Sequence, residues 1–214
     1  MADSGAFEPP TYPVQATGGA VPAFVGRAAE RSSAAQAWAA ARAGVRQVIF
    51  IGGEPGAGKS RLTAEIAAEA YRGGAVVLLG TCSPEGGGPY QPFTECLERL
   101  LGETAAGALA SRLPDTATEL LRLTPLVWRH RPELIAPEED GGDYRRELFD
   151  AVAALLHDVG EQRPVVCVLE DLHWAGQPTL QLLGHVVQRL VTARLLLLCT
   201  HRTTAPDRSG ELTY

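Results

Sequence analysis

The stretch from Gly53 to Ser60 matches G-x-x-x-x-G-K-[ST] in full and constrains this chain more than any other feature. It follows an apolar run, Val48 to Ile51, which reads as a buried strand. After it, an amphipathic helix is predicted from Arg61 to Ala70. A strand, a glycine-rich loop and a helix in this order are the context in which the motif holds phosphate groups. A plain glycine-rich turn with a solvated lysine is the alternative, and it leaves the flanking elements unexplained.

The residue types of the loop suit an anion. Successive backbone N–H groups and the positive end of a helix offset the charge of a triphosphate. Lys59 is expected to reach the β- and γ-phosphates, and the Ser60 hydroxyl to complete the coordination of Mg²⁺. The sequence therefore predicts ATP or ADP with Mg²⁺ as cofactors. The predicted nucleotide-binding residues of this stretch are Gly53, Glu54, Pro55, Gly56, Ala57, Gly58, Lys59, Ser60 and Arg61.

Short apolar runs alternate with helical patterns along the chain. Strands are expected at about 47–51, 75–80, 164–169 and 195–199, and helices at 28–43, 61–70, 93–101, 144–159 and 178–190. Further helix is expected at 105–123 with a break near Pro114, followed by an irregular, mobile, charged insertion at 125–143. This alternation predicts an α/β fold, a doubly wound parallel sheet with helices on both faces. We expect a flexible arm at 1–23 and one ATPase domain at 24–214.

Composition narrows the class of protein. The 214 residues are 45% hydrophobic and carry a net charge of −6, with no run of Lys and Arg that would form a nucleic-acid footprint. No apolar stretch approaches the ~20 residues of a membrane helix, and the N-terminus lacks a signal-peptide pattern. The four cysteines form no C-x-x-C pair and are read as buried, reduced residues. The expectation is a soluble, cytoplasmic protein.

Two acidic residues follow the third apolar strand. Glu170 and Asp171 would be costly to leave unpaired there, and a divalent metal with its waters would stabilise them. Because side chains alternate in a strand, we expect Glu170 to face the Mg²⁺ shell and Asp171 to face the water that attacks the γ-phosphate. Both are counted with Ser60 as metal-site residues. The alternative is a capping or surface acidic pair.

The fourth strand ends in Thr200, His201 and Arg202. A cation at Arg202 could sense or stabilise charge on the γ-phosphate, whereas His201 reads as a packing or surface histidine. The cluster Arg129-His130-Arg131 is read as a solvated loop, with a phosphate lid as the alternative.

These motifs together carry a resemblance that spans about residues 24–206. The segments 24–27, 53–60, 89–93, 165–175 and 200–202 resemble, in this order, the ATPase module of the STAND branch of AAA-type P-loop ATPases. The module is most similar to that of large LuxR-type transcriptional regulators. The resemblance implies an adenine-side role for Val25, Gly26 and Arg27, a γ-phosphate role for Arg202, and the strand order 5-1-4-3-2.

Three positions depart from the pattern of that family. Ala28 stands where an acidic residue is common, Glu170 where aspartate is commoner, and Gly176 where aspartate often follows Trp174-Ala175. The chain also ends at Tyr214, before a fifth strand, a helical lid or a helix-turn-helix, which reads as a truncated product or fragment.

The function expected from the sequence is an ATP- and Mg²⁺-binding signalling ATPase core that hydrolyses ATP slowly and switches conformation with its nucleotide. The alternatives are a P-loop kinase acting on a small molecule and a DNA-loading AAA ATPase. We expect no direct nucleic-acid or membrane binding by this stretch. Self-association is expected through the open edge beside the phosphate-loop strand.

Overall fold

The computed structural model describes residues 10–12, 26–85, 87–137 and 144–203. Its centre is a parallel sheet of four strands, β1 (Gln47–Gly52), β2 (Val76–Thr81), β3 (Val165–Glu170) and β4 (Leu195–His201). Their spatial order is β1-β4-β3-β2. The predicted α/β class is confirmed, and the order of these four strands agrees with the one that the resemblance implied.

Five α-helices cover the two faces of the sheet. They are α1 (Ala28–Arg42), α2 (Lys59–Arg72), α3 (Gln91–Glu103), α4 (Tyr144–Gln162) and α5 (Gln177–Arg189). The face that contacts α1 and α2 is called the phosphate-loop face. The other face contacts α3 and α4, against which α5 packs, and is called the three-helix face. None of the described helices is long and apolar enough to cross a membrane.

The central strands are buried on both sides, as parallel strands between helices must be. All six residues of β3 are buried. Their side chains alternate, so Cys167 and Leu169 join the core under the three-helix face while Val166 and Val168 join the core under the phosphate-loop face. Each fully buried large aliphatic side chain of this kind contributes roughly 1.5–3 kcal/mol to stability. This alternation decides which residues reach the phosphate loop.

The segment between α3 and α4 differs from the prediction. Residues 105–113 form turns, and the described residues that follow, up to 137, contain two 3₁₀ helices, Asp115–Arg122 and Pro125–Arg129. The irregular insertion predicted at 125–143 is ordered over its described part, with Val127 buried in the core under the three-helix face. Of the cluster Arg129-His130-Arg131, predicted as a solvated loop, Arg129 is exposed but His130 is buried, so the prediction is wrong for His130. Nε2 of His130 lies 2.9 Å from the carbonyl oxygen of Leu101. The hydrogen-bond partner of the imidazole is a carbonyl group distant in sequence, and local sequence patterns do not reveal such a pairing.

Residues 10–12, inside the predicted N-terminal arm, contact the domain. The Tyr12 hydroxyl donates a hydrogen bond to the Ala64 carbonyl oxygen at 2.8 Å, and its ring lies 5.4 Å from that of Tyr71. Most of the predicted arm, the part of the predicted insertion from 138 to 143, and residues 204–214 lie outside the described residues.

Candidate functional site

The phosphate loop joins the end of β1 to the start of α2. Gly56 and Gly58 adopt φ of 79° and 78°, a left-handed conformation that favours glycine. At Gly53 an added Cβ would lie 3.3 Å from the Cβ of Ala57, so the loop is narrow at its base. The exposed residues Glu54 and Pro55 lie between these glycines. The glycine positions of the motif are therefore required by the backbone itself.

Lys59 is the first residue of α2 and is only 8% exposed. Its Nζ donates hydrogen bonds to the carbonyl oxygens of Gly53 (2.9 Å) and Glu54 (3.1 Å). The ammonium group therefore lies across the loop, and its stem is fixed by burial. This arrangement holds one full positive charge at the centre of the loop.

Ser60 and Glu170 are brought together by a residue that the sequence analysis missed. The Thr63 hydroxyl donates to the Ser60 carbonyl oxygen at 2.9 Å and lies 3.5 Å from Oε1 of Glu170. Glu170 is 7% exposed, and Ser60 is exposed at the surface of the loop. The strand alternation thus places Glu170 on the phosphate-loop face, as expected. Thr63 was identifiable only as the residue one turn after Ser60 on α2.

Asp171 leaves the strand in a different direction. Its backbone is left-handed, with φ of 56°, and its N–H donates to Oγ1 of Thr200 at 2.9 Å. Its side chain is 41% exposed. The two neighbouring carboxylates therefore occupy different environments, one buried beside α2 and one open to solvent at the strand ends.

His173 is a site residue to which the sequence analysis gave no role. Its side chain is 4% exposed, and neither ring nitrogen has a hydrogen-bond partner among the described residues. Burial lowers the pKa of His173, the carboxylate of Asp171 opposes that shift, and the positive charges of Arg202 and Lys59 add to it. The imidazole is therefore neutral near pH 7, close to the charged groups of the loop and of β4.

The end of β4 lies beside the phosphate loop. His201 pairs with Gly52 in the sheet register, and a Cβ on Gly52 would lie 3.0 Å from Nε2 of His201. Arg202 follows at the exposed end of the strand, with its guanidinium carbon 5.9 Å from the centre of the Trp174 ring. Arg202 therefore shares a face with the acidic loop that follows β3.

Arg27 reaches the phosphate loop from the other side. Gly26 and Arg27 have positive φ, 87° and 54°, and Nη2 of Arg27 donates to the Ala57 carbonyl oxygen. Val25, the first residue of the predicted adenine-side motif, lies outside the described residues. Arg61, the last predicted loop residue, forms an ion pair of 2.9 Å with Glu65 on α2.

The donors at this edge of the sheet fit a triphosphate with Mg²⁺. The Ser60 hydroxyl and the carboxylates of Glu170 and Asp171 are hard oxygen donors, and Mg²⁺ commonly takes one or two carboxylates together with phosphate oxygens. Across the described ranges, no cluster of three or more His, Cys, Asp or Glu side chains could hold a metal ion by itself. The ring nitrogens of His173 are also buried polar atoms without a hydrogen-bond partner among the described residues, and Nδ1 lies 3.8 Å from Oδ1 of Asp171, so a polar ligand at the strand ends would satisfy them.

The chain is similar to proteins of other organisms over most of its length. An uncharacterised protein, R02095 of Rhizobium meliloti (strain 1021), is 26% identical over 193 residues, covering 84% of this chain and 18% of that protein. A structure of C. elegans PCH-2 is 16% identical to this chain, with a TM-score of 0.43. The match covers 84% of this chain and 38% of the PCH-2 chain. This chain thus spans less than half of either protein.

The sequence profile described as an AAA ATPase domain matches residues 23–198, which is most of the chain and includes every element of the site except the last residues of β4 and Arg202. The chain therefore belongs to the AAA ATPase domain family, a family of nucleotide-binding ATPases.

Proposed function

We propose that this domain binds ATP or ADP with Mg²⁺ at the carboxyl ends of β1, β3 and β4, and that it acts as a slowly hydrolysing, nucleotide-dependent switch. One observation carries the proposal. Through Thr63, the helix that bears Lys59 and Ser60 contacts the buried carboxylate of Glu170. This contact supports the proposal that the loop and the acidic strand end belong to one site.

Each residue has a distinct proposed role. Lys59 offsets charge on the β- and γ-phosphates, because it supplies a full positive charge within the loop. Ser60 and Glu170 hold Mg²⁺, which supplies charge neutralisation on the phosphate oxygens. Asp171 orients the attacking water and accepts its proton, and its greater exposure leaves room for that water.

The two arginines at the rim are proposed to contact the nucleotide. Arg202 extends from the end of β4 and stabilises charge on the γ-phosphate. An adenine-side role for Val25, Gly26 and Arg27 is proposed from the resemblance, and the hydrogen bond from Arg27 to the Ala57 carbonyl oxygen places Arg27 beside the phosphate loop.

Hydrolysis is proposed to be slow. A proton acceptor must lie within hydrogen-bond reach of its water, and a displacement of ~1 Å costs about a hundredfold in rate. Asp171 is one methylene shorter than the glutamate common at this position in fast AAA motors. Turnover well below the ~1–100 s⁻¹ of kinases would suit a switch that holds its ATP state.

The proposed context is a larger cytoplasmic regulator of the STAND type, similar to LuxR-type transcriptional regulators. The motif order supports this context, as does the small fraction, 18%, of R02095 that the chain spans. With a net charge of −6, this domain is proposed not to bind nucleic acid directly. Self-association through the β1 edge, where Phe50 is 55% exposed, is also proposed, and light scattering would detect it.

The substitution Lys59→Ala tests the site. Titration with a fluorescent ATP analogue should show an affinity loss of about tenfold to a hundredfold, since a hydrogen-bonded charge is worth roughly 1.5–3 kcal/mol. Arg72→Ala, an exposed cation at the opposite end of α2, is the matched control and should bind normally. Wild-type affinity in Lys59→Ala would contradict the site assignment.

Phosphate release separates the proposed switch from its two rivals. A switch releases phosphate slowly without any added partner. A small-molecule kinase would transfer the γ-phosphate to a metabolite instead of releasing it, and a DNA-loading ATPase would accelerate when DNA is added. Either of these results would replace the switch with the corresponding rival.

A further inference from the structure

A cavity lies on the three-helix side of the sheet, apart from the phosphate loop. Its volume is about 870 Å³, within the ~300–1,000 Å³ typical of small-molecule sites. The N-terminal half of α3, the end of the first 3₁₀ helix and the start of α4 form its walls. None of the proposed nucleotide-site residues is among those walls.

Tyr90 forms part of the cavity wall in an unusual backbone conformation. Its φ is 70°, which is an outlier for a bulky side chain. Its N–H donates to Oγ1 of Thr179 at 3.1 Å, and its ring, 5% exposed, packs edge-on against Phe149 at 5.7 Å. Among the described residues, only Arg27 and Asp171 share this left-handed conformation without being glycine, and both belong to the nucleotide site. Such strain persists where the surroundings fix it, commonly at ligand sites.

The charge of the wall favours a cation. Glu95 and Glu98 lie one turn apart on α3, and both line the cavity. Glu95 is fixed, because Oε2 accepts from the N–H of Thr81 (2.8 Å) and Oε1 accepts from Nε2 of Gln91 (2.9 Å). Its negative charge therefore stays at the wall.

The positive charge on the opposite wall, that of Arg122, is already balanced by a carboxylate of the protein. Arg122 forms an ion pair with Glu119 at 2.8 Å, and its guanidinium carbon lies 4.5 Å from the centre of the Tyr144 ring. The Tyr144 ring thus already accepts a cation within the protein. Leu121, Leu123 and Leu148 supply apolar surface beside it. Two carboxylates, an aromatic ring and an aliphatic floor together suit an ammonium or guanidinium group on an apolar body.

Two hydrogen bonds connect this wall to the acidic end of β3. Thr81, which donates to Glu95, lies opposite Glu170 in the register of β2 and β3. Thr179, which accepts from Tyr90, lies at the start of α5, directly after the loop that contains Asp171. A ligand that shifts α3 would therefore shift the backbone around both carboxylates.

We propose that the cavity between Tyr90, Glu95, Glu98 and Tyr144 binds a small organic cation, and that its occupancy changes the affinity of the domain for MgATP. The binding claim stands by itself, whereas the coupling claim rests on the proposed function. By linkage, MgATP changes the affinity for the cation by the same factor.

The binding arm uses ligand-observed NMR on the whole chain without nucleotide. The probes are 2-phenylethylamine, tyramine, agmatine and spermidine at up to about 10 mM, with 2-phenylethanol as a neutral isostere of the first. Cations should bind and the isostere should bind several-fold more weakly. Glu98→Gln should weaken binding several-fold, and Thr94→Trp, which fills the cavity, should abolish it. Glu103→Gln, on the same helix but outside the wall, should bind as wild type does.

The outcomes separate the claims. If no cation binds, or if the isostere binds equally well and Thr94→Trp has no effect, the cation site is wrong. The coupling arm repeats the MgATP titration with a bound cation, and a shift of roughly fivefold or more is expected. No shift in a chain that binds MgATP overturns the coupling alone. A chain that does not bind MgATP overturns the proposed function and leaves the binding arm valid.

Discussion

The two faces of the sheet are packed with different side chains. Under the phosphate-loop face, α1 and α2 contribute mainly small residues to the core, including Ala34, Ala41, Ala67 and Ala70. Under the three-helix face, the core is built from large residues such as Phe93, Leu97, Leu100 and Leu155. Large buried side chains contribute more hydrophobic free energy. The three-helix face therefore supplies most of the stability, and the phosphate-loop face keeps its helices close to the sheet.

The same comparison holds for polar groups. On the phosphate-loop face, the alternating rows of β3 and β4 consist of Val166, Val168, Leu196 and Leu198. Glu170 and Thr200 continue these rows, so strand alternation places both side chains on the face that α2 covers. On the three-helix face, the corresponding rows contain Leu169 and Cys199, where burial raises the pKa of the thiol and keeps it protonated, and the row of β4 ends in the half-buried His201. The row of β3 thus ends in a carboxylate on the phosphate-loop face and in an apolar side chain on the three-helix face.

The largest expected effect is on catalysis at this end of β3. Asp171→Asn should keep MgATP binding but reduce phosphate release by about a hundredfold to ten-thousandfold, because a positioned proton acceptor contributes that much. Glu170→Gln should instead weaken the Mg²⁺ dependence of nucleotide binding, by roughly 10- to 100-fold. Phosphate-release assays and nucleotide titration against Mg²⁺ concentration measure the two effects.

The reverse pattern in these two variants would mean that the carboxylates exchange roles. If neither variant changes binding or hydrolysis, the acidic pair is not the metal site. Asp158→Asn, a carboxyl in the last part of α4, before β3 begins, is a control for the loss of one negative charge.

The elements that sequence reasoning found are those defined by local pattern. The four apolar runs became strands within one or two residues, and the phosphate loop lies where its motif indicated. The side of Glu170 also followed from strand alternation. These features depend on residue spacing, which the sequence contains directly.

The features that it missed depend on contacts between distant segments. The left-handed backbone of Tyr90 is held by Thr179, and the burial of His130 is made possible by Leu101. The buried imidazole of His173, which has no hydrogen-bond partner among the described residues, likewise lies near charges from distant segments, those of Lys59 and Arg202. Spacing along the chain carries no signal for such pairs.

The next-largest expected effect concerns two adjacent residues of β4 whose side chains point to opposite faces of the sheet. Leu197 and Leu198 are both fully buried, the first under the three-helix face and the second beside Leu62 and Ile66 of α2. Either change to alanine should cost about 2–5 kcal/mol of unfolding free energy, which urea denaturation measures. Only Leu198→Ala should also weaken nucleotide binding, because α2 begins with Lys59 and Ser60.

The nucleotide titration decides whether the faces are functionally separate. Equal losses of nucleotide affinity in Leu197→Ala and Leu198→Ala, in buffer where both variants are folded, would contradict the separation. Retained affinity in both would show that the position of α2 tolerates a cavity at Leu198.

The smallest effect concerns the buried imidazole of His130, which packs into the three-helix face. His130 is 3% exposed, its Nδ1 accepts from the N–H of Leu109 at 3.4 Å, and its Nε2 donates to the Leu101 carbonyl oxygen. Protonation would place a hydrogen on Nδ1, facing another donor. Burial accordingly lowers the pKa of His130 from its ordinary value of 6.5. The neutral ring is the form that the folded protein holds.

The direction of the pH dependence follows from that shift. Because the unfolded chain binds a proton at His130 more readily than the folded chain, its contribution to stability is complete above pH 6.5 and is lost as pH falls through the lower folded pKa. Urea denaturation at about pH 7.5 and about pH 5.5 should therefore show a greater loss of stability in wild type than in His130→Gln. Glutamine can accept from Leu109 and donate to Leu101 without titrating, so the difference between the two proteins removes the contribution of His173, whose pKa is also lowered. An equal pH dependence in both proteins would mean that the imidazole of His130 is not confined to its neutral form, and that the three-helix face tolerates a charge as readily as the edge that carries Glu170 and Asp171.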